Sequence, residues 1–172
     1  MKIGILNLPF DNNYGGNLQR YALMTVLKGM GHDPIHLNCQ YSYSTVKSRV
    51  HASMRHIVQR VLFELNEHGM ASSLNDRLGS PTMQAERFYN KYIAHTPAIY
   101  RSEDLQRYTD YDAYIVGSDQ VWRRYYIRNY PGQYFFDFLP EGKKRIAYAA
   151  SLGVDKDDYS KEECEQLKPL YN

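Results

Sequence analysis

The sequence predicts an α/β fold with a parallel β-sheet flanked by helices, and two stretches carry that prediction. In the first, a strand (residues 2–8), a loop containing glycines, a helix (about 17–30) and a second strand (34–39) follow one another. This order is typical of a βαβ unit, whose crossover is right-handed and whose strands are parallel. The second is the apolar run 113–116, bounded by Asp112 and Gly117, which is typical of a strand buried on both faces.

The first helix is predicted from one apolar stripe, formed by Ala22, Leu23, Val26, Leu27 and Met30. Gly31 is placed to end the helix. Gly15 and Gly16, before it, resemble a phosphate-binding turn, because glycine lets the backbone approach a ligand and a helix N-terminus offers free N–H groups. A structural tight turn explains the same pair equally well, since neither a dinucleotide-binding fingerprint nor a P-loop is present.

Three further helices are predicted between the first βαβ unit and the strand at 113–116. Residues 46–67 are amphipathic with a basic first part, a pattern shared by helices that lie on anionic membranes and by packed helices with a solvated basic face. Residues 69–81 form a predicted loop, and Ser80-Pro81 is typical of the start of a helix that runs to about Ile93. Ser102 is expected to begin another short helix.

The last third of the chain is predicted to add one strand and one helix. Residues 133–139 form an aromatic strand or turn, and residues 145–150 form a strand. A helix is expected over 160–171, with Ser160 as N-cap and Glu163 completing a capping box.

Composition limits the classes of function. A hydrophobic content of 43% is typical of a globular domain, and a net charge of +2 is too small to argue for nucleic-acid binding. Cys39 and Cys164 make neither a disulfide framework nor a metal site, and the histidines lack metal-ligand spacing. No signal peptide or membrane span is predicted, so we expect a cytoplasmic protein without a metal.

Three predicted strands end in small or polar loops, which should meet at one edge of a parallel sheet. That edge would be rich in hydroxyl and amide groups and would suit a polyhydroxylated ligand. Its members are Asn13, Gly15, Gly16, Asn17, Ser118, Asp119, Gln120 and Ser151. Capping of a following helix is an equally good explanation of Ser118 or Asp119. Arg123 and Arg124, beside this edge, either bind a carboxylate or phosphate or simply form a basic surface turn.

Four segments carry a resemblance to a known family. They are Ile3-Gly4-Ile5-Leu6 with Asn13-Tyr14-Gly15-Gly16-Asn17-Leu18-Gln19-Arg20-Tyr21-Ala22-Leu23, then Tyr111-Asp112 to Gly117-Ser118-Asp119-Gln120-Val121-Trp122, then Tyr134-Phe135 to Phe138, and Ile146-Ala147-Tyr148-Ala149-Ala150-Ser151-Leu152-Gly153. In this order and spacing they resemble the polysaccharide pyruvyl transferase family over most of the chain apart from residues 41–108. One position departs from the family pattern, because Arg123 stands where the family usually has Asn.

The resemblance implies a transferase that moves a pyruvyl group from phosphoenolpyruvate to a sugar of a cell-surface polysaccharide as a ketal. It also implies a glycosyltransferase-B-like (GT-B-like) arrangement of two Rossmann-like domains with the site between them. Residues 1–158 would be the N-terminal domain, and residues 159–172 would start a helix that leads to a C-terminal domain. Because that second domain is expected to supply much of the donor site, we expect this chain alone to be inactive.

Under this resemblance, Asp119 is expected to orient or deprotonate an acceptor hydroxyl. Arg123 and Arg124 would neutralise the donor, and the other edge residues would hold the sugar. Phosphoenolpyruvate is a substrate, so no cofactor is expected; the partners are a saccharide acceptor, which can be lipid-linked, and the missing C-terminal domain. Peripheral membrane contact stays open through the basic helix. The alternative functions are a GT-B-type sugar transferase that uses a nucleotide sugar and a non-catalytic glycan-binding module.

Overall fold

The computed structural model describes residues 1–10, 13–40, 54, 80–127, 131–155 and 158–171. Within these residues the fold contains a four-stranded sheet made of β1 (Lys2–Leu6), β2 (Asp33–His36), β3 (Ala113–Asp119) and β4 (Lys144–Ala150). The strand order is β2-β1-β3-β4, and every neighbouring pair is parallel. The predicted parallel α/β sheet is therefore confirmed. The expected helix over 46–67 lies outside the described residues.

Three α-helices and three 3₁₀ helices complete the described part of the chain. The α-helices are α1 (Tyr14–Gly29), α2 (Ser80–Tyr92) and α3 (Lys161–Leu167), and the 3₁₀ helices span Ser102–Tyr108, Pro131–Phe135 and Lys168–Tyr171. No helix among the described residues is both long and apolar enough to cross a bilayer.

The sheet carries a different core on each face. Helices α1 and α2 cover one face, where Met24 and Tyr89 pack against Ile3 and Ile5 of β1. The other face packs against the 3₁₀ helices Ser102–Tyr108 and Pro131–Phe135 and neighbouring loops, in a cluster rich in aromatic side chains around Tyr114. The central strands β1 and β3 are therefore buried on both sides, as expected for a parallel sheet, and their carboxyl ends are fixed.

Helix α1 corrects the sequence prediction at its start. It begins at Tyr14 and not at Asn17, because the side chain of Asn13 caps it. The Oδ1 atom of Asn13 accepts a hydrogen bond from the Gly16 N–H at 3.1 Å, which is the usual N-cap contact to the third helical residue. Gly15 and Gly16 therefore lie inside the first helical turn, and neither the phosphate-binding turn nor the tight turn describes them.

The predicted apolar stripe of α1 is confirmed only at Leu23 and Leu27, which pack in the core on the face of the sheet that α1 covers. The buried residues of this helix are Asn17, Arg20, Met24 and Leu27, a spacing of three and four residues that defines one helical face. Val26 and Met30 of the predicted stripe are 60% and 65% exposed. The buried face of α1 begins with two polar residues, Asn17 and Arg20, which lie near the carboxyl ends of β1 and β3.

Smaller differences concern element type and length. Residues 133–139 adopt the turn alternative, through the 3₁₀ helix Pro131–Phe135, and the segment after Ser102 is 3₁₀ rather than α-helical. The predicted capping box of Ser160 and Glu163 is confirmed, but α3 ends at Leu167.

Candidate functional site

A cavity of about 360 Å³ opens at the carboxyl ends of β1 and β3, against the first turns of α1. This is the position at which open α/β sheets bind ligands. Its described lining residues are Asn7, Leu8, Pro9, Asn13, Gly16, Asn17, Gln19, Arg20, Ser118, Asp119, Gln120 and Tyr126. Six of the residues predicted for this edge are therefore brought together: Asn13, Gly16, Asn17, Ser118, Asp119 and Gln120. Gly15 and Ser151 are not part of the lining.

The strand wall of the cavity is the end of β3. Ser118 and Asp119 are themselves strand residues, and turns follow them rather than a helix, so the helix-cap explanation is wrong. Asp119 has a φ of +83°, a left-handed conformation that costs a non-glycine residue about 1–3 kcal/mol. Two neighbours hold it there: it pairs with Ala150 of β4, and its carbonyl accepts a hydrogen bond from the Ser151 N–H at 3.0 Å.

Gly117 makes this strand end sterically possible. Its φ is +119°, and a Cβ atom at this position would lie 2.0 Å from the carbonyl oxygen of Tyr148. The Gly117 carbonyl accepts a hydrogen bond from the side-chain amide of Asn7, at the end of β1. Asn7 therefore joins the two central strands at the mouth of the cavity.

The helix wall of the cavity contains an arginine that the sequence prediction missed. Arg20 is only 3% exposed, and its guanidinium donates hydrogen bonds to Asn7 Oδ1 at 3.2 Å, Asn17 Oδ1 at 2.8 Å and the Leu8 carbonyl at 2.8 Å. It also lies over the ring of Tyr89, 5.6 Å from the centroid. The signal in the sequence was its spacing from Met24 and Leu27, which places Arg20 on the buried face.

A neutral histidine lies behind this arginine. His36 of β2 is fully buried, and its Nδ1 atom is 2.6 Å from the Tyr89 hydroxyl. Burial, and then the positive charge of Arg20 and the proximity of His95, hold the pKa of His36 well below its usual range. The positive charge on this side of the cavity therefore belongs to Arg20 and not to the imidazole.

Arg123 and Arg124, which were predicted to bind the donor, contact other protein side chains in this structure. Arg123 donates a hydrogen bond to Gln120 Oε1 at 2.9 Å and lies over the Tyr126 ring at 5.2 Å. Arg124 forms an ion pair with Glu163 of α3 at 2.7 Å. Neither arginine lines the cavity, so in this structure both organise the loop after β3.

The side chain of Gln120 is held in the lining by close packing against Gly153. Gly153 has a φ of +67°, and a Cβ atom there would lie 2.3 Å from Gln120 Cδ. Any side chain at residue 153 would displace Gln120. Gly153 thus helps to shape the cavity although it is not part of its lining.

The chemistry of the lining is that of a site for a polar organic ligand. Asp119 offers a carboxylate that can accept a proton from a hydroxyl group, and amide and hydroxyl side chains surround it. No group of three metal-ligating side chains that could hold an ion occurs within the described ranges.

Comparison with protein families identifies the family to which this chain is similar. The family model described as "Polysaccharide pyruvyl transferase" matches residues 13–169. The matched span contains the helix wall and the strand wall of the cavity. Neither the curated proteins nor the solved structures contain a significant match to this chain.

Proposed function

Since the chain belongs to the polysaccharide pyruvyl transferase family, through a match over residues 13–169, we propose that it serves the transfer of a pyruvyl group from phosphoenolpyruvate to a saccharide as a ketal. The observation that supports this most directly is the cavity itself. It joins a carboxylate, Asp119, to a lining of amide and hydroxyl groups at the carboxyl ends of β1 and β3. Such a lining suits the hydroxyl groups of a sugar acceptor.

In this proposal Asp119 orients or deprotonates the acceptor hydroxyl that attacks. Its left-handed backbone supports the assignment, because strained residues are retained where function requires their position. Ser118 and Gln120 flank it on the same wall, and Asn13 and Asn17 face them from the helix wall. Their amide and hydroxyl groups would hydrogen-bond the remaining sugar hydroxyls.

The reaction consumes no net proton from the enzyme and uses two acceptor hydroxyls. A general acid protonates the methylene carbon of phosphoenolpyruvate, and one sugar hydroxyl adds to the resulting cation at C2 and loses its proton, which restores the general acid. The bond between C2 and the phosphate oxygen then breaks, and a second hydroxyl of the same sugar closes the ketal while its proton goes to the leaving phosphate. Asp119 would accept the proton of one of these hydroxyls.

The wider setting is part of the proposal. We place this Rossmann-like domain on the acceptor side of a GT-B-like pair of domains, acting in the cytoplasm on exopolysaccharide precursors. The parallel sheet order β2-β1-β3-β4 supports the α/β part of this assignment. The second domain would complete the binding site for the donor, phosphoenolpyruvate.

The experiment combines ligand protection with turnover. Thermal unfolding of the chain is followed with phosphoenolpyruvate, nucleotide sugars and a panel of galactose- and mannosamine-type saccharides, and phosphate release and ketal formation are measured. Because the second domain is expected to complete the donor site, ketal formation is also measured in a homologue that carries both domains. Phosphoenolpyruvate-dependent ketal product there, with saccharide protection of this chain, supports the proposal. Protection by nucleotide sugars alone would favour a sugar transferase, and protection by saccharide alone a glycan-binding module.

The role of Asp119 is tested by Asp119→Asn. The matched control is Asp104→Asn, which removes the same charge from a half-buried carboxylate that pairs with Arg107 and does not line the cavity. Saccharide protection that falls in Asp119→Asn and persists in Asp104→Asn supports the assignment. Equal protection in both variants would make Asp119 a structural residue.

A further inference from the structure

We infer that Arg123, which does not line the cavity, sets the preference of the cavity among saccharides by positioning two lining side chains, Gln120 and Tyr126. The inference rests on the proposed function for one point, that the cavity binds a saccharide. It adds how the saccharide would be recognised, by an aromatic ring and an amide that one guanidinium holds in place. The proposed mechanism uses neither Arg123 nor Tyr126.

The first argument is the column in which the backbone places these three residues. The Arg123 N–H donates a hydrogen bond to the Gln120 carbonyl at 3.0 Å, and the Tyr126 N–H donates one to the Arg123 carbonyl at 2.9 Å. Hydrogen bonds from residue i+3 to residue i place side chains three positions apart on the same side of a turn. Residues 120, 123 and 126 therefore form one column, and both ends of the column line the cavity.

The second argument is that the middle of the column contacts both of its ends. The Nη1 atom of Arg123 donates a hydrogen bond to Gln120 Oε1 at 2.9 Å, and the guanidinium carbon lies over the Tyr126 ring, 5.2 Å from the centroid. A guanidinium can make both contacts at once, because it donates hydrogen bonds in its plane and packs on an aromatic ring with its flat face. Loss of Arg123 would therefore release two lining side chains together.

The third argument concerns the Gln120 amide. Its oxygen accepts the hydrogen bond from Arg123, so the two N–H donors of its Nε2 group are left for a ligand. On the Gly153 side the space is also closed, since a Cβ atom at residue 153 would lie 2.3 Å from Gln120 Cδ. The side chain is thus confined between Arg123 and Gly153. A donor that is fixed before binding loses little conformational freedom when the ligand arrives.

The fourth argument concerns the ring of Tyr126, which is the aromatic side chain among the described lining residues. Arg123 covers one face of this ring, so a ligand can meet only the other face, the edge or the hydroxyl. The face of an aromatic ring is electron-rich and attracts the weakly positive C–H groups on the flat side of a sugar ring. An aromatic face beside amide donors therefore favours a cyclic saccharide over an acyclic polyol.

Binding of methyl β-galactoside and galactitol tests this preference, because both have the galacto configuration and only the first has a ring. Both affinities are measured by NMR titration of the ¹⁵N-labelled parent chain, Arg123→Gln and the control Arg107→Gln, which makes the same change in net charge at an exposed arginine. We expect the parent and the control to prefer the galactoside. Arg123→Gln should weaken galactoside binding about fivefold, the value of one hydrogen bond, and should reduce the preference. A parent chain without the preference, or an Arg123→Gln chain that keeps it in full, would overturn the inference.

A second measurement tests whether Arg123 acts through Gln120. Arg123→Gln should weaken galactoside binding about fivefold in the parent chain but no more than about twofold in Gln120→Ala, where no amide is left to position. In the chain without ligand, the side-chain N–H resonances of Gln120 should shift and sharpen in Arg123→Gln, as the amide becomes mobile. Equal effects of Arg123→Gln in both backgrounds would overturn the inference.

Trp122 reports whether the loop after β3 stays folded in these variants. It is the single tryptophan of the chain, and its ring stacks on Phe135 with the centroids 5.5 Å apart. Its fluorescence should be the same in the parent chain and in Arg123→Gln. If Arg123→Gln loses the native emission, Arg123→Lys takes its place with the same expectations, because lysine keeps the positive charge and lacks the planar fork.

Failure of this inference can be told apart from failure of the proposed function. Ketal formation in the two-domain homologue, with a saccharide preference of this chain that Arg123→Gln leaves unchanged, would overturn the inference and support the pyruvyl transfer. A saccharide preference that depends on Arg123, without any phosphoenolpyruvate-dependent product in the homologue, would support the inference and count against the transfer. Absence of saccharide binding to this chain would count against both.

Discussion

Replacement of Gly153 by alanine is expected to distort the cavity through Gln120 and to destabilise the fold. Gly153 has a φ of +67°, and the added Cβ atom would lie 2.3 Å from Cδ and 2.4 Å from Cγ of Gln120. Both distances are well inside van der Waals contact, so the Gln120 side chain has to rotate away. That rotation breaks its hydrogen bond with Arg123 at 2.9 Å.

Two costs add up in this variant. The left-handed backbone costs alanine about 1–2 kcal/mol relative to glycine, and the lost hydrogen bond costs about 1 kcal/mol, since a half-buried contact lies at the low end of the range. We therefore expect Gly153→Ala to lower the free energy of unfolding by about 2–3 kcal/mol. Gln120→Ala alone should cost about 1 kcal/mol through the same hydrogen bond.

A double-mutant cycle measured by denaturant unfolding tests this account. The double variant lacks both the clash and the hydrogen bond, so it should be less destabilised than the sum of the single variants by at least about 1 kcal/mol. Gly142→Ala is the matched control, because Gly142 has a φ of +80° and no atom within 4 Å of an added Cβ. It should show the backbone cost alone and no coupling with Gln120→Ala. If the costs of Gly153→Ala and Gln120→Ala add within about 0.5 kcal/mol, the packing argument is refuted.

Three further predictions concern the cavity and its surroundings. The pKa of His36 is lowered in the folded chain, so below about pH 6.5 the unfolded chain binds a proton that the folded chain does not, and the free energy of unfolding should decrease. Urea unfolding at a series of pH values should show a smaller decrease in His36→Gln than in the control His32→Gln. Gly16→Ala should stabilise α1 by up to about 1 kcal/mol and weaken ligand binding measured by calorimetry. Gly29→Ala in the same helix should stabilise α1 and leave the ligand affinity unchanged. An unchanged affinity in both variants would contradict the position of Gly16 in the cavity lining. Asp119→Asn should have the same free energy of unfolding as the parent chain, because Asn tolerates a positive φ, whereas Asp119→Ala should lower it by about 1 kcal/mol. Equal free energies of unfolding for the Asn and Ala variants would argue against backbone strain at this residue.

Local patterns were sufficient for much of the fold. The βαβ order, the buried run that became β3 and the capping box of Ser160 and Glu163 depend on residues within a few positions of one another. Such patterns report propensity and period directly. They also placed Ser118, Asp119 and Gln120 at a strand end, where the cavity opens.

The same patterns failed where the partner is distant in the chain. Periodicity placed Leu27 correctly on the buried face of α1 but missed Met24, because the centre of that face is set by packing on β1 and β3. Arg124 is paired with Glu163, 39 positions away, and this pairing was invisible to local spacing.

The sequence by itself determined the parallel α/β class, the family and the polar character of the sheet edge. The tertiary structure alone decided which polar groups share the cavity: it brought in Arg20 from the buried face of α1 and left Arg123 and Arg124 outside. The physical reason is that sequence spacing fixes the face of an element on which a side chain lies, whereas burial and charge environment depend on the elements packed against that face. The hydrogen bonds of Arg20 with Asn7, Asn17 and Leu8 exist only when those elements are in place.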